Sequence, residues 1–380
     1  MGAGLPASVQ ALTTEPSTSG SLSRSSCVVP FSAPTGRPQA ELWLGAHAGS
    51  PSRLVGRDGT LADIVPGRLP FLMKVLAAGA PLSLQAHPTP AQAEAGFARE
   101  NAAGIPIDAP ERNYKDAFHK PELISALSDP FTALSGFRPV ADTLAVLEPV
   151  VTDARLEPLV SQLVDDSSLR EVFTWLISRG PGVEDVVSAV IEAAAVVDGP
   201  SWETVRLLAE YYPGDPGIPI SLLLHTIVLR PGEVLYLPAG NIHAYLGGLG
   251  IELMAASDNV LRGGLTPKHV DVPELLEVLD FRPRPAPYLV PEAIAPGVSV
   301  FRPDVPDFML TVVAPDAAAR GVDLAIEGGG PAIAFVASGA VTLDGLEASH
   351  TLDRGAAAYI SGEPGVHVQG DGLLFLATGG

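Results

Sequence analysis

The chain has 380 residues, of which 47% are hydrophobic and only 17% charged, so it can bury a large apolar core. Its formal net charge of −20 argues against nucleic acid or an anionic membrane as partner, because Lys and Arg bind such ligands. The single cysteine, Cys27, excludes an intramolecular disulfide and is typical of the reducing cytoplasm, where we expect the protein. The sequence shows neither a membrane-spanning apolar run nor a signal-peptide pattern.

The N-terminal segment, residues 1–37, is predicted to be disordered. Residues 13–38 are rich in Ser, Thr, Pro and Gly and carry few charges, so they have too little apolar surface to pack. Residues 38–138 read as strands and loops, and we expect them to form the first part of a β-barrel.

Two elements are predicted within this first part. Segment 82–88 alternates with the period of a strand, which places Ser83, Gln85 and His87 on one face. A helix is predicted over 90–101, because Thr89 is followed by proline at the first helical position.

Residues 139–212 are predicted to form a helical domain. Ser168 and Glu171 have the spacing of a capping box in front of an apolar helical run. Between 183 and 194, apolar residues recur at i, i+3 and i+4, which is typical of a helix with one buried face. Gly-Pro pairs are predicted to end both helices.

The β pattern resumes after this domain. Residues 213–290 are predicted to complete the first barrel, with strands at 221–229 and 233–237. Residues 291–380 are predicted to form a second, smaller barrel from apolar runs at 333–336, 356–360 and 373–377. We expect no metal in this second barrel, because it lacks a Gln-x-His pair.

Four side chains with lone pairs stand at turns or strand ends. His243 follows the turn 238–240, Gln85 and His87 share a strand face, and Glu122 comes directly after a proline. Nitrogen and oxygen ligands without thiolates suit zinc, and also iron or manganese. The set therefore predicts a metal centre and excludes a cysteine-type structural zinc site.

Three segments carry a resemblance to a known family. They are QAHP at 85–88, HKPE at 119–122 and PAGNIHAYLGGLGIELMAASDNVLRGGLTPK at 238–268. These resemble the hallmark segments of the type I phosphomannose isomerases, and the similarity extends over residues 38–285.

The resemblance implies both a fold and an activity. The fold would be mainly β with a helical insertion and two cupin-type jelly-roll barrels, the metal lying in the first. The activity would be zinc-dependent interconversion of mannose 6-phosphate and fructose 6-phosphate through an enediol(ate), serving mannose metabolism and the supply of GDP-mannose. One zinc ion per chain and a monomer are expected.

The same resemblance implies the roles of particular residues. The zinc ligands would be Gln85, His87, Glu122 and His243. Arg262 would be an active-site arginine, and Glu252, Lys120 and Lys268 would line the substrate pocket.

The lysines support this reading from composition. All four lysines of the chain, among 23 Lys and Arg residues, lie in three segments that resemble the family, 69–85, 114–122 and 238–268. A lysine is a compact charge suited to phosphate contact or proton handling. Lys268 and Arg262, with Ser83, are the candidates for binding the substrate phosphate, and Lys120 is a candidate for assisting proton transfer.

Glu252 is the preferred candidate for the catalytic base. It is a lone carboxylate in the apolar strand 251–254, where loss of solvent would raise its pKa. The alternative is a structural pair with Arg or Lys. His119 and His269 lie beside these residues and are further candidates near the pocket.

Two other functions remain open from the sequence. A cupin-type metal oxygenase would share the barrel, but such enzymes usually have His-x-His where this chain has Gln85-x-His87. A catalytically silent sugar-phosphate binding protein would not need both a metal site and a base.

Overall fold

The computed structural model describes residues 8–13, 40–56, 58–346 and 348–380, with residues 8–13 described by their backbone alone. The chain is mainly β with a group of helices in the middle, which confirms the predicted class at that level. No helix in these ranges is both long and apolar enough to cross a membrane.

The first part of the chain is mostly β. Its elements are β1 (Ser8–Thr13), β2 (Glu41–Leu44), β3 (Arg53–Leu54), β4 (Phe71–Ala78), β5 (Gln85–Ala86), α1 (Pro90–Ala102), β6 (Glu122–Ala126) and β7 (Phe131–Phe137). The structure differs from prediction at Ser8–Thr13, which form a strand instead of disordered chain. Residues 1–7 and 14–37 of that predicted segment lie outside the described residues.

The middle of the chain is helical. Its elements are α2 (Val140–Leu147), α3 (Glu157–Val160), α4 (Leu169–Ile177), α5 (Val183–Ala194), α6 (Pro200–Tyr211) and α7 (Gly217–Ser221). The predicted buried face of α5 is confirmed, since Val183, Val186 and Val190 are fully buried. The predicted capping box is wrong: the Ser168 hydroxyl donates to the Asp165 carbonyl at 2.6 Å and does not cap α4.

The chain then returns to β structure. Its elements are β8 (Leu224–Leu229), β9 (Val234–Leu237), β10 (His243–Ala255), β11 (Leu261–Arg262), α8 (Val272–Val278), β12 (Glu292–Ala295), β13 (Val298–Phe301) and β14 (Met309–Val313). The last elements are α9 (Pro315–Arg320), β15 (Val322–Ala325), β16 (Ala332–Ser338), β17 (Ala340–Asp344), β18 (Ser349–Asp353), β19 (Ala357–Ser361), β20 (Gly365–Gly370) and β21 (Leu373–Thr378). The predicted runs at 333–336, 356–360 and 373–377 thus fall in β16, β19 and β21.

The long strand β10 organises the first sheet. Its second half pairs with β4 and β6, and its first half pairs with β5 and β7, with a bulge between Tyr245 and Gly247. Strand β5 is shorter than the predicted 82–88, because it pairs only with the start of β10 and with the two residues of β11. The sheet therefore gathers QAHP, the start of β6 and the start of β10 at one end.

The two faces of this sheet have different roles. One face, with Met73, Leu123 and Leu253, packs into a core that continues into the C-terminal strands. Because alternate residues of a strand point to opposite faces, Lys74, Glu122 and Glu252 share the other face. That face carries the charged residues into the interior of the first β unit.

The C-terminal strands form separate sheets. One contains β12, β13, β14, β21, β16, β19, β1 and β3 in that order, and another contains β15, β20, β17 and β18. The N-terminal strand β1 therefore pairs with β19, at the far end of the sequence.

Candidate metal centre and substrate site

His87, Glu122 and His243 form a buried cluster, although they come from three distant points of the chain. His87 lies just after β5, while Glu122 and His243 begin β6 and β10. The Nε2 atom of His87 lies 3.3 Å from Glu122 Oε1, and Nε2 of His243 lies 3.4 Å from Glu122 Oε2. All three residues are at most 1% exposed.

Backbone carbonyls orient both imidazoles. Nδ1 of His87 donates to the Asn259 carbonyl at 2.8 Å, and Nδ1 of His243 donates to the Asn241 carbonyl at 3.1 Å. Because a carbonyl only accepts, the proton of each neutral ring is on Nδ1 and the lone pair on Nε2 points at Glu122. Burial lowers the pKa of His87 to about 4, so this ring is neutral at pH 7.

Glu122 is charged despite its burial. Burial raises the pKa of this carboxyl, but the charge of Lys120 acts in the opposite direction, and the pKa lies well below its usual value. Nζ of Lys120 lies 2.6 Å from Glu122 Oε1. The site thus contains one carboxylate compensated by one ammonium group.

Gln85 completes the cluster. It pairs with His243 across the sheet, and its Nε2 lies 3.3 Å from His243 Nε2. A metal would be bound by the amide oxygen of Gln85, and a half-turn of the terminal amide exchanges the positions of its oxygen and nitrogen.

This geometry fits a metal ion. Zinc bonds to nitrogen and oxygen are near 2.0–2.2 Å, so the ligand atoms of one tetrahedral ion are about 3.3 Å apart. The distances of 3.3 and 3.4 Å from the two imidazoles to Glu122 are close to that edge, and one ligand atom from each of His87, Glu122 and His243 lies within 4.8 Å of the others. Two buried atoms, Nε2 of His87 and Oε2 of Glu122, also lack a hydrogen-bond partner among the described residues.

Glu252 and Lys74 form an ion pair on the same face of the sheet. Lys74 Nζ lies 2.9 Å from Glu252 Oε2, and the two residues are register partners on β4 and β10. Burial raises the pKa of Glu252, while the Lys74 charge acts in the opposite direction. Burial lowers the pKa of Lys74, but Glu252 and Glu41 outweigh it, so this pKa lies above its usual value. The carboxylate is thus desolvated, as predicted, and also paired.

A group of cations lies beside the metal cluster. Arg262 pairs with Gln85 through the sheet and is half-buried, and its guanidinium has no acceptor within the described ranges. Burial, Arg262 and Lys115 all lower the pKa of Lys268, so Arg262 and Lys115 each lie within electrostatic range of Lys268. An unpaired arginine with two nearby ammonium groups is suited to a phosphate or another anion. The sequence had not indicated a role for Lys115.

The remaining candidates have less specific surroundings. Ser83 is half-buried and lies two residues before the start of β5. His119 pairs with Asp307 at 2.7 Å, which links the metal-site loop to the C-terminal strands, and His269 is exposed. Asn259, which the sequence reading overlooked, binds both His87 and the loop before β6.

Comparisons with known proteins agree on one family. The family model for the catalytic domain of type I phosphomannose isomerase matches residues 17–140. The mannose-6-phosphate isomerase of Salmonella typhimurium is 40% identical over 362 residues, covering 90% of this chain and 91% of that protein. The human mannose-6-phosphate isomerase is 33% identical over 315 residues, covering 72% of each chain.

Solved structures agree in three dimensions. A mutant of phosphomannose isomerase from Salmonella typhimurium superposes with a TM-score of 0.88 at 35% identity, covering 98% of this chain and 99% of that one. A zinc-bound mannose 6-phosphate isomerase gives a TM-score of 0.89 with the same identity and coverage.

The fold and the site define a metal-binding enzyme built on β-sheets. The chain belongs to the type I phosphomannose isomerase family, which confirms the resemblance seen in its motifs.

Proposed function

We propose that this protein interconverts mannose 6-phosphate and fructose 6-phosphate, as a zinc-dependent aldose-ketose isomerase of mannose metabolism and GDP-mannose supply. The observation that carries the proposal is the buried His87, Glu122 and His243 cluster in a chain of this family, with Arg262 beside it; no acceptor for this arginine lies among the described residues. The first β unit and the C-terminal strands are proposed to be cupin-type jelly-roll barrels, with the metal in the first. Composition and charge favour a cytoplasmic monomer acting on a small molecule.

Gln85, His87, Glu122 and His243 would hold the zinc ion. When bound, zinc would either polarise the sugar oxygens at carbons 1 and 2 as a Lewis acid or mainly orient the open-chain sugar. The protein itself prepares the ligands: both imidazoles are fixed with Nε2 free, and Glu122 is ionised.

The substrate phosphate needs local cations, because the chain as a whole is strongly acidic. Arg262 can offer two parallel N–H donors to phosphate oxygens, and Lys268 can add a point charge. Arg262 lies next to the metal cluster, since it is the register partner of Gln85, and Lys268 lies within electrostatic range of Arg262. Ser83, two residues before Gln85, is proposed as a hydroxyl donor to the same substrate.

The isomerisation moves a proton from carbon 2 of the open-chain aldose to carbon 1. A base removes the carbon 2 proton, the electrons form an enediolate, and the proton returns at carbon 1. Glu252 is proposed as this base, because burial raises its pKa toward the range useful for proton transfer. Lys120 is proposed to assist proton transfer at the sugar oxygens, and Arg262 to stabilise the enediolate charge.

The test is direct conversion of substrate. Zinc-loaded protein is incubated with mannose 6-phosphate and fructose 6-phosphate formation is followed, beside a chelator-treated sample and the Arg262→Ala variant. We expect turnover that requires zinc and that falls strongly in the variant. A folded, zinc-bound protein that binds mannose 6-phosphate without converting it would contradict the proposal and favour a sugar-phosphate binding protein.

A further inference from the structure

Asn259 lies between β10 and β11, and its side chain is fully buried. Oδ1 accepts from the backbone N–H of Lys115 at 2.7 Å and of Asp116 at 3.3 Å. Nδ2 donates to the carbonyl of Asp116 at 2.9 Å and of Phe118 at 2.8 Å. One amide thus binds four backbone groups of the loop 115–118.

The backbone of the same residue holds a metal-site ligand. The Asn259 carbonyl accepts the Nδ1 proton of His87 at 2.8 Å, and this bond leaves Nε2 of His87 free. Any shift of the Asn259 backbone therefore moves or rotates the His87 ring. The side chain and the carbonyl of Asn259 join two parts of the site that are far apart in sequence.

The loop 115–118 leads directly to functional side chains. Lys115, at its start, lies within electrostatic range of Lys268, and Lys120 and Glu122 follow its end. The Ser257 hydroxyl gives the loop a second support, 2.8 Å from a carboxylate oxygen of Asp116. The position of this loop therefore bears on the cations and on the ligand Glu122.

We propose that Asn259 is a positioning residue that couples the metal ligand His87 to the loop 115–118. Zinc affinity and substrate affinity then depend on the same buried amide. The inference deepens the proposed isomerase function and rests on it for the substrate half, while the zinc half can be measured without turnover.

The first test is Asn259→Asp, which keeps the shape of the side chain and its acceptor oxygen. It replaces the Nδ2 donor by an oxygen facing the carbonyls of Asp116 and Phe118, so the loop is pushed away. We expect zinc affinity, measured by competition with a chelator, to fall about 10- to 100-fold, as for other residues that orient metal ligands. We also expect KM for mannose 6-phosphate to rise.

Asn101→Asp is the matched control. Its side-chain oxygen accepts from Arg112 at 2.6 Å, so an aspartate keeps that contact, and the residue is exposed. We expect this control to retain the zinc affinity and KM of the unmodified protein.

A purely structural role for Asn259 gives a different result. It would lower the free energy of unfolding and leave zinc affinity and KM of the folded protein unchanged, which would overturn the inference. If Asn259→Asp does not fold, Ser257→Ala can be used, because it removes the weaker support of the same loop. We then expect a smaller fall in zinc affinity and a smaller rise in KM. No change in either quantity would refute the coupling. Weak zinc binding in the Asn259 variant supports the link between Asn259 and the metal site even if the unmodified protein is inactive. Failure of the isomerase proposal can therefore be told apart from failure of this inference.

Discussion

The Lys74–Glu252 pair allows its structural and catalytic contributions to be separated in one experiment. The two charges are 2.9 Å apart, with side chains 9% and 4% exposed. At an effective dielectric constant of about 20, that separation corresponds to an attraction of about 6 kcal/mol. Removing Lys74 leaves the buried Glu252 charge without its partner, which typically costs about 3–5 kcal/mol. Removing Glu252 leaves Lys74 with Glu41, whose Oε2 lies 3.9 Å from Nζ.

We expect Lys74→Met to lower the free energy of unfolding by roughly that amount at pH 7, and Glu252→Gln to lower it by less, because Glu41 still faces Lys74. The double variant removes both buried charges, so we expect it to lose much less than the two single losses combined, with a coupling of about 3 kcal/mol. The pKa of Lys74 is raised in the folded state, so its contribution is fully present below the unfolded pKa near 10.4 and is lost above it. Urea unfolding of the chelator-treated protein at pH 7 therefore measures the complete effect.

Kinetics of the same variants test the catalytic half. If Glu252 is the base, Glu252→Gln and the double variant lose at least about 100-fold in kcat. Lys74→Met keeps the carboxylate but removes the charge that lowers the pKa of Glu252, so the acidic limb of its kcat profile shifts to higher pH. Additive stability losses would refute the ion-pair reasoning, and an unchanged kcat in the double variant would refute Glu252 as the base.

Three further outcomes follow from the site and its surroundings. Glu122→Gln should weaken zinc binding at least about 100-fold in chelator competition. Glu363→Gln, the same change at a buried glutamate of the C-terminal part, should not weaken it. Equal effects of the two variants would show a general loss of structure. Arg262→Lys should raise KM for mannose 6-phosphate about tenfold or more through loss of bidentate binding, whereas Arg170→Lys should leave KM unchanged; a normal KM for Arg262→Lys would remove Arg262 from the phosphate site. Burial and the carboxylates of Asp304 and Asp307 raise the pKa of Tyr236 to about 12. Stability that is present below pH 10 should therefore fall as the pH rises toward that value. Tyr236→Phe should make this fall smaller in urea midpoints measured between pH 9 and 11.

The sequence predicted the local elements of the metal site well, because each is encoded within a few residues. The turn before His243, the alternation around Gln85 and the proline before Glu122 all have local physical causes. The α1 helix was predicted for the same reason, and Thr89 does accept from the backbone of Gln92. Such short-range signals require no knowledge of the rest of the fold.

Long-range pairings were harder to predict. Lys74 meets Glu252 through the register of β4 against β10, and 178 positions separate the two residues in sequence. Strand β1 pairs with β19, near the other end of the chain. The local composition, rich in small polar residues, therefore did not predict this strand. The Ser168 capping box failed because Ser168 already has helical backbone angles, whereas an N-cap residue is usually extended.

The distribution of lysines now has a structural explanation. Three lysines have different partners at the site. Lys74 pairs with Glu252, Lys120 contacts Glu122, and Lys115 lies within electrostatic range of Lys268. In a chain with net charge −20, a phosphorylated substrate meets an unfavourable overall field, so attraction has to come from charges at short range. Buried carboxylates that would serve as ligand and base need ammonium partners in the same small volume. Lysines concentrated at the site meet both requirements, while arginines carry the positive charges elsewhere.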